Sequence, residues 1–360
     1  MILNRLSTEN FRNLDVVEQV FHPAANIIIG RNGQGKTNLL EAIYFLATTR
    51  SFRTARQASL PRFESANLFV RGAVQREGLE RSISAGIEVG ESKRRILLIN
   101  GERVTLPAYL RELTVFAYSA ARLEILRGAP EERRRFLDRG VASIDPGYLE
   151  ELTRYTRVLK QRNALLHEIG TGAANVRSLD AWDESFLASS GAVQAARRAY
   201  AEELAAAFRN IVREHSYHVA GVEMTYKPSS EDLWALRRAE VRARTSLSGP
   251  QRDHLEFTVD GRAAAEVLSG GELKTIVLFL KFAKLELFRR RFEEPPLFLL
   301  DDIDAELDLE ILQQLLTKLP TETQVFATSA KEAFLQALAA GPHLRLSVDR
   351  GRVTGSREFA

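Results

Sequence analysis

Cysteine is absent from this chain of 360 residues. The absence excludes disulfide bonds, thiolate metal ligands and a thiol nucleophile. The six histidines do not form a metal-binding pattern, and we assign none of them a role. Long apolar runs are also missing, since none approaches the roughly 20 residues that cross a bilayer. Residues 1–6 do not read as a signal peptide, so we expect no membrane contact and a cytoplasmic location.

Motifs of several nucleic-acid-binding classes are missing as well. No zinc finger, helix-turn-helix or RNA-binding motif is visible, so sequence-specific readout of bases is not expected. No heptad repeat is sustained, which excludes long coiled coils. The net charge of +3 permits nucleic-acid binding without indicating it. A hydrophobic content of 45% and a charged content of 27% predict a globular protein with one large or two moderate domains.

A phosphate-binding loop is the clearest feature that the sequence does contain. An apolar predicted strand, residues 26–29, and a predicted helix, residues 38–46, flank the Walker A pattern G-x-x-x-x-G-K-T. Such glycines let backbone N–H groups surround phosphate oxygens, and the helix N-terminus adds the positive end of its dipole. We expect Lys36 to reach the β- and γ-phosphates and the Thr37 hydroxyl to bind Mg²⁺. The predicted nucleotide-binding residues here are Gly30, Arg31, Asn32, Gly33, Gln34, Gly35, Lys36, Thr37 and Asn38.

A second apolar strand, residues 296–300, ends in the two acids Asp301 and Asp302. Its continuous apolar run is typical of a buried strand in a parallel sheet, and ligands bind outside the carboxyl ends of such strands. Asp301 therefore has the position of a Walker B carboxylate, which would hold Mg²⁺ with Thr37. We expect Asp302 to orient or deprotonate the attacking water.

A third motif distinguishes among the nucleoside triphosphatases. Residues 268–272, Leu-Ser-Gly-Gly-Glu, precede a predicted long helix and resemble the signature motif of the ABC-type ATPases. That resemblance implies that Ser269, Gly270 and Gly271 cap the γ-phosphate of a nucleotide bound to a second subunit.

Two further segments complete the ABC-like pattern after the Walker B acids. Residues 305–308 resemble the D-loop and make Asp308 a candidate nucleotide contact. A last strand, residues 324–327, leads to Thr328, where ABC transporters have a histidine. We expect the Thr328 hydroxyl to sense the γ-phosphate.

The order of these motifs predicts an α/β fold, an ABC-type P-loop ATPase core with a mixed sheet and flanking helices. Residues 1–105 would form its N-terminal part and residues 213–360 its C-terminal part. Residues 106–212 have helical periodicity and predict an inserted, mostly helical second domain.

Several stretches resemble the RecF family of bacterial recombination-mediator ATPases. They are residues 10–13 (Asn-Phe-Arg-Asn), 35–44 after the Walker A glycines, 50–53, 128–138, 155–166 and 248–253. Together they span nearly the whole chain, and the middle motifs discriminate best because generic ABC ATPases lack them. Two segments depart from the family pattern: the signature has Gly270 and Glu272 where RecF sequences have glutamines, and residues 118–123 lack the usual acids and proline.

The resemblance implies an ATP-dependent homodimer that binds double-stranded DNA at gaps or junctions without sequence specificity. It also implies cooperation with RecR and RecO in loading RecA, and a Mg²⁺-dependent, DNA-stimulated and slow ATPase. The departures leave open a RecF-like paralogue serving another partner, for example in defence. An ABC-type ATPase subunit for transport or translation is the other alternative, which the long helical insertion disfavours.

Candidate DNA-contacting and phosphate-contacting arginines are less specific. Three basic clusters could meet DNA phosphates: residues 133–135, residues 237–244 and residues 289–291. Each is also compatible with an ordinary surface of ion pairs. Arg50 or Arg53 could approach nucleotide phosphates from within the same chain.

Overall fold

The chain forms two compact units in the structure, which is a computed structural model. The first unit combines Met1–Leu123 with Gly270–Ala360, and the second is Glu124–Ser269. The structure describes residues 1–14, 17–54, 56–89, 93–119, 123–215, 221–229, 232–302, 313–314, 316, 319, 322–329 and 341–359. Within these residues, no helix is long and apolar enough to cross a membrane.

The strands and helices are bounded as follows. In chain order the strands are β1 Ile2–Glu9, β2 Val17–Val20, β3 Ala25–Ile29, β4 Asn67–Arg76, β5 Leu79–Val89, β6 Lys93–Ile99, β7 Glu102–Arg103, β8 Val115–Tyr118, β9 Val222–Lys227, β10 His254–Val259, β11 Arg262–Ala263, β12 Leu297–Leu300, β13 Val325–Ser329, β14 His343–Asp349 and β15 Arg352–Phe359. The α-helices are α1 Lys36–Thr48, α2 Leu106–Leu110, α3 Glu124–Arg127, α4 Pro130–Ile144, α5 Tyr148–Gly170, α6 Asp180–His215, α7 Leu233–Ala243, α8 Ala264–Val267 and α9 Gly270–Arg291.

The described strands of the first unit form two six-stranded sheets. One is antiparallel, with strand order β2–β1–β4–β5–β6–β7. The other has strand order β15–β14–β3–β13–β12–β8 and is parallel apart from β15, which pairs antiparallel with β14 at one edge. All four residues of β12 are buried, as expected for a parallel strand covered on both faces.

Two helices cover the mixed sheet and explain its apolar strands. Helix α9 packs on it through ring contacts of Phe282 with Phe298 and of Phe288 with Phe116. Helix α1 has ten buried residues among thirteen, and a helix that is apolar on nearly all sides belongs in an interior. The predicted α/β core with a mixed sheet and flanking helices is therefore confirmed.

The second unit is an insertion between β8 and α9, and it is mostly helical as predicted. Helices α4, α5, α6 and α7 account for most of it, together with a small antiparallel sheet of order β11–β10–β9. Phe186 of α6 lies in its interior, 1% exposed, against the ring of Tyr155.

The bounds of the compact units differ from the predicted divisions at 105/106 and 212/213. Strand β8 belongs to the first unit because it pairs in parallel with β12 of the mixed sheet. Strands β9 and β10 belong to the second unit because they form their own sheet there, and β9 packs on α6. Sequence periodicity identifies a strand but does not say which sheet it joins.

Candidate functional site

The phosphate-binding loop connects the carboxyl end of β3 to the start of α1. Gly35 is the N-cap of α1 with a φ of 113°, and Gly33 has a φ of 80°, a left-handed backbone that glycine adopts readily. Because Gly35 has no side chain, it leaves the first amide groups of α1 available to an anion. Arg31, Asn32 and Gly33 are exposed at the surface of the loop.

Lys36 lies across this loop and is 4% exposed. Its Nζ donates hydrogen bonds to the carbonyl oxygens of Gly30, at 2.8 Å, and Arg31, at 3.2 Å. An ammonium group held over the loop by two carbonyls is placed to bind phosphate oxygens that enter the same space. The geometry therefore supports the predicted role of Lys36.

The Asp301 carboxylate lies at the carboxyl end of β12 and is 7% exposed. It accepts a hydrogen bond from the Thr328 hydroxyl at 2.9 Å and interacts with the Thr37 hydroxyl. The three side chains meet because β3, β13 and β12 are neighbouring parallel strands that end at the same edge of the sheet. Burial, followed by the charge of Asp302, raises the pKa of Asp301 to about 6, and hydrogen bonds from both hydroxyls oppose the rise.

The donor set around Asp301 fits Mg²⁺. A carboxylate and a hydroxyl are hard oxygen ligands, and Mg²⁺ commonly takes only one or two protein ligands with waters and phosphate oxygens. Across the described part of the chain, no group of three or more His, Asp or Glu side chains could hold a metal. A cation between Thr37 and Asp301 would also compensate the cost of burying the carboxylate.

Thr328 has partners that the sequence did not reveal. It is fully buried at 0% exposure, and besides donating to Asp301 its hydroxyl accepts the backbone N–H of Asp302 at 2.8 Å. Asp302 has a φ of 47°, and its backbone is held there by this bond. Thr328 therefore holds the Asp301 carboxylate and the backbone of Asp302, whereas its contact with a γ-phosphate stays a prediction.

The signature residues lie at the start of α9. Ser269 and Gly271 are exposed, Gly270 is half-buried, and α9 begins at Gly270. An exposed helix N-terminus with a serine before it is available to a ligand from outside the subunit. Asp308 and the D-loop segment 305–308 lie outside the described residues, as do Ala120, Ala121 and Arg122 of the divergent 118–123 segment.

Glu41 of α1 is a buried acid that sequence reasoning missed. It is 0% exposed and accepts two hydrogen bonds from Arg12, at 2.9 and 2.8 Å, and one from the Ser51 hydroxyl. It thus joins the residue 10–13 motif to the residue 50–53 motif behind the phosphate-binding loop. Its signal in the sequence was a lone acid among apolar helix residues, which must find a partner when buried.

The two arginines proposed to approach phosphates have different surroundings. Arg53 donates to the Asn38 amide oxygen at 2.7 Å and lies 3.6 Å from Glu41. Its charge also lowers the pKa of Asp301, although this effect is smaller than that of burial. Arg50 lies near Arg95, whose pKa is lowered by burial and then by the charge of Arg50. Of the two, Arg53 is the one connected to the site.

The middle motifs build the interior of the second unit. Arg197 is held by Asp138, of the 128–138 motif, and by Asp253, of the 248–253 motif, each at 2.8 Å. Arg162, of the 155–166 motif, is 0% exposed and pairs with Asp183 at 2.9 Å and Glu240 at 2.6 Å.

The predicted basic clusters are partly engaged by groups of the protein itself. Arg133 donates hydrogen bonds to the carbonyl oxygens of Leu126 and Gly128. Arg134 donates to the carbonyl oxygen of Asp253. Arg135 forms ion pairs with Glu131 and Glu132. Arg237 pairs with Asp180 and Asp183, and Arg290 pairs with Glu286. In each of the three clusters at least one arginine is therefore paired with an acid of the protein itself. Contact of these clusters with DNA stays a prediction.

The chain is similar in sequence, along most of its length, to known proteins. The chain matches the RecF/RecN/SMC N terminal domain family over residues 2–347. The DNA replication and repair protein RecF of Geotalea daltonii is 34% identical over 348 residues, covering 91% of this chain and 93% of that protein. RecF of Citrifermentans bemidjiense is 36% identical over 346 residues, with coverages of 91% and 93%. The chain belongs to the RecF family.

A solved RecF structure has the same fold along its whole length. The recombination mediator protein RecF-ATPrS of the RecFOR pathway superposes with a TM-score of 0.86 at 26% identity, covering 99% of this chain and 98% of that one. Membership in the RecF family makes this protein an ABC-type ATPase of DNA replication and repair that uses ATP and Mg²⁺. The main functional prediction from the sequence is thereby confirmed.

Proposed function

We propose that the protein is an ATP-dependent homodimer that binds double-stranded DNA at gaps or junctions in the cytoplasm. In this proposal it acts with RecO and RecR to promote RecA loading on single-stranded DNA. The supporting observation is the pairing of a complete phosphate and Mg²⁺ site, Lys36 with Thr37 and Asp301, with an exposed signature serine, Ser269, in a RecF-family chain.

The residues of the site have distinct proposed roles. The phosphate-binding loop binds the triphosphate through its N–H groups and Lys36, and Thr37 with Asp301 would hold Mg²⁺, which supplies charge neutralisation for phosphoryl transfer. Asp302 orients the attacking water, and Thr328 fixes both acids. Asp302 is one methylene shorter than the glutamate that many ABC ATPases have there, which supports the proposal of slow turnover.

The proposed dimer rests on two surfaces of each subunit that would contact the same nucleotide from opposite subunits: the phosphate-binding loop and the signature residues. Ser269, Gly270 and Gly271 would cap the nucleotide of the partner subunit, so ATP binds the closed dimer better than the open one. A ligand shifts an equilibrium only by its differential affinity for the two states, and the capping contacts supply that difference. Hydrolysis removes these contacts and releases the dimer from DNA.

Light scattering with and without ATP tests this proposal, in the absence and presence of gapped duplex DNA. We expect the wild type to dimerise with ATP and to bind DNA as a dimer. Lys36→Ala should stay monomeric, because the loop loses its phosphate-binding cation. Lys227→Ala, a lysine on β9 that is 58% exposed and lies outside the RecF-like motifs, is the control and should behave as wild type. A wild type that remains monomeric with both ligands would contradict the proposed dimer.

A further inference from the structure

The turn between β14 and β15 consists of two residues, Arg350 and Gly351. Their φ angles are 47° and 79°, so both have the left-handed backbone of a type I′ hairpin turn. Asp349 and Arg352 pair on either side of them. The amide groups of the two turn residues lie outside the strand ladder and need other partners.

Both amides find their partner in the phosphate-binding loop. The N–H of Gly351 donates to the Gln34 carbonyl oxygen at 2.7 Å, and the N–H of Arg350 donates to the Gln34 side-chain oxygen, also at 2.7 Å. One residue of the loop thus accepts two hydrogen bonds from a turn more than 300 positions away in the chain.

Asn13 contacts the same turn and the same loop. Its carbonyl oxygen lies 2.0 Å from the position that a Cβ on residue 351 would occupy, so only glycine fits there. Its side-chain oxygen accepts a hydrogen bond from the Asn38 amide and lies 3.2 Å from the Cβ position of residue 35. We call the four residues Asn13, Gln34, Arg350 and Gly351 the loop brace.

A hairpin turn of this type does not require close packing around its glycine. The comparable turn between β4 and β5 also has a partner for its first amide, because the N–H of Glu77 donates to the Glu294 carboxylate at 2.5 Å. Residues Glu77 and Gly78, between β4 and β5, have φ angles of 52° and 75° and form the same kind of turn. A Cβ on Gly78 would meet nothing within 4 Å. The close packing at Gly351 therefore reflects its contact with Asn13 and the loop and not the turn geometry alone.

We propose that Gln34 and Gly351 are positioning residues for the nucleotide, because the loop brace holds the phosphate-binding loop in its binding conformation before the phosphates arrive. The inference rests on the proposed role of this loop. A loop that is already ordered loses less conformational entropy on binding, and that reduction appears as affinity. The brace also makes the β14–β15 hairpin, at the edge of the mixed sheet, part of the nucleotide site.

Paired glycine substitutions test the proposal. Gly351→Ala strains a left-handed turn and collides with Asn13, whereas Gly78→Ala strains a matching turn with open space around it. We expect Gly351→Ala to weaken the binding of a fluorescent ATP analogue about tenfold and to raise the KM for ATP similarly, with a smaller change in kcat. Gly78→Ala should lower Tm through backbone strain but retain the affinity of the wild type.

A second variant keeps the test decisive if Gly351→Ala fails to fold. Gln34→Ala removes the side-chain oxygen that accepts the Arg350 N–H and leaves the hairpin sequence unchanged. We expect this variant to weaken analogue binding, as Gly351→Ala does. Its Tm should stay close to that of the wild type, because the turn itself is not strained. In the double variant the two losses should be less than additive, because they remove one shared contact. Equal analogue affinity of wild type, Gln34→Ala and Gly351→Ala would overturn the inference and leave ATP binding intact. A wild type that binds no analogue would instead reject the proposed function of the loop.

Discussion

The Asp301 carboxylate shows how one residue couples the site to folding stability. Its pKa of about 6 in the folded protein lies above the ordinary value of 3.8 for an aspartate, mainly because burial disfavours the charged form. At pH values between these two pKa values, Asp301 is therefore mostly protonated in the folded protein and mostly ionised in the unfolded chain. The stability that the protonated form contributes is fully present below the unfolded pKa and is lost as pH rises through the folded one.

Asp301→Asn should remove this pH dependence in metal-free buffer. The neutral amide carries no charge to bury, so at pH 7.5 the variant should exceed the wild type in free energy of unfolding by about 2 kcal/mol. Near pH 4 the difference should disappear, because wild-type Asp301 is then protonated. Urea denaturation with EDTA from pH 4 to 7.5 measures both. A gain that is constant with pH would show that the buried charge is not its cause.

Helix α1 illustrates the element scale, because its start forms the nucleotide site and its interior is anchored by an ion pair. Glu41 is 0% exposed, and the guanidinium of Arg12 covers it in a two-bond contact. Arg53 extends this contact to Asn38, the residue that follows Thr37 in the sequence. The helix that presents Lys36 is thus anchored by ion pairs of Glu41 with Arg12 and Arg53.

Arg12→Met should destabilise the protein by about 3 kcal/mol, because it leaves a buried carboxylate without its main partner. Arg12→Lys should restore little of that loss, since an ammonium does not form the two-bond contact. Arg5→Met is the matched control: Arg5 is 60% exposed and lies 3.7 Å from Glu18, and an exposed pair contributes at most about 1 kcal/mol. Urea denaturation compares the three. Similar losses for Arg12→Met and Arg5→Met would contradict the importance of burial.

At the scale of the whole molecule, the chain leaves the ATPase unit after β8 and returns to it at α9. The inserted unit has its own interior, in which the middle RecF motifs supply buried arginines and acids. Arg162 and Arg197 each pair with two acids that come from separate segments of the unit. These ion pairs fix the relative positions of segments that apolar packing alone would position less exactly. The main role of these motifs is therefore to stabilise the fold of the inserted unit.

Arg162→Met should selectively destabilise the inserted unit. It leaves Asp183 and Glu240 buried beside an uncharged side chain, at a cost of about 3–5 kcal/mol. Arg154→Met, on the same helix and 67% exposed, is the control and should change little. Hydrogen exchange should show lost protection in residues 124–269 with less change elsewhere. Loss spread evenly over the chain would argue against an independent role of this unit.

Predictions from the sequence were most successful where a short contiguous pattern determines backbone conformation. The predicted helix 38–46 lies within α1, and the predicted strands 26–29 and 296–300 correspond to β3 and β12. They were less successful where partners had to be assigned. Residues 213–360 were predicted to belong to the ATPase core, but β9 and β10 of this segment pair with each other in the inserted unit.

By itself, the sequence determined the chemistry of the site and the class of fold. Each of the two phosphate-site motifs is a contiguous pattern: glycines before a lysine at a helix start, and acids after an apolar strand. Their function can therefore be predicted from the sequence without the tertiary structure. Only the tertiary structure decided that Arg12 neutralises Glu41, that Thr328 holds both acids and that Gln34 meets the Arg350–Gly351 turn. These contacts join distant segments, and the order of strands in a sheet, which no local pattern encodes, brings them together.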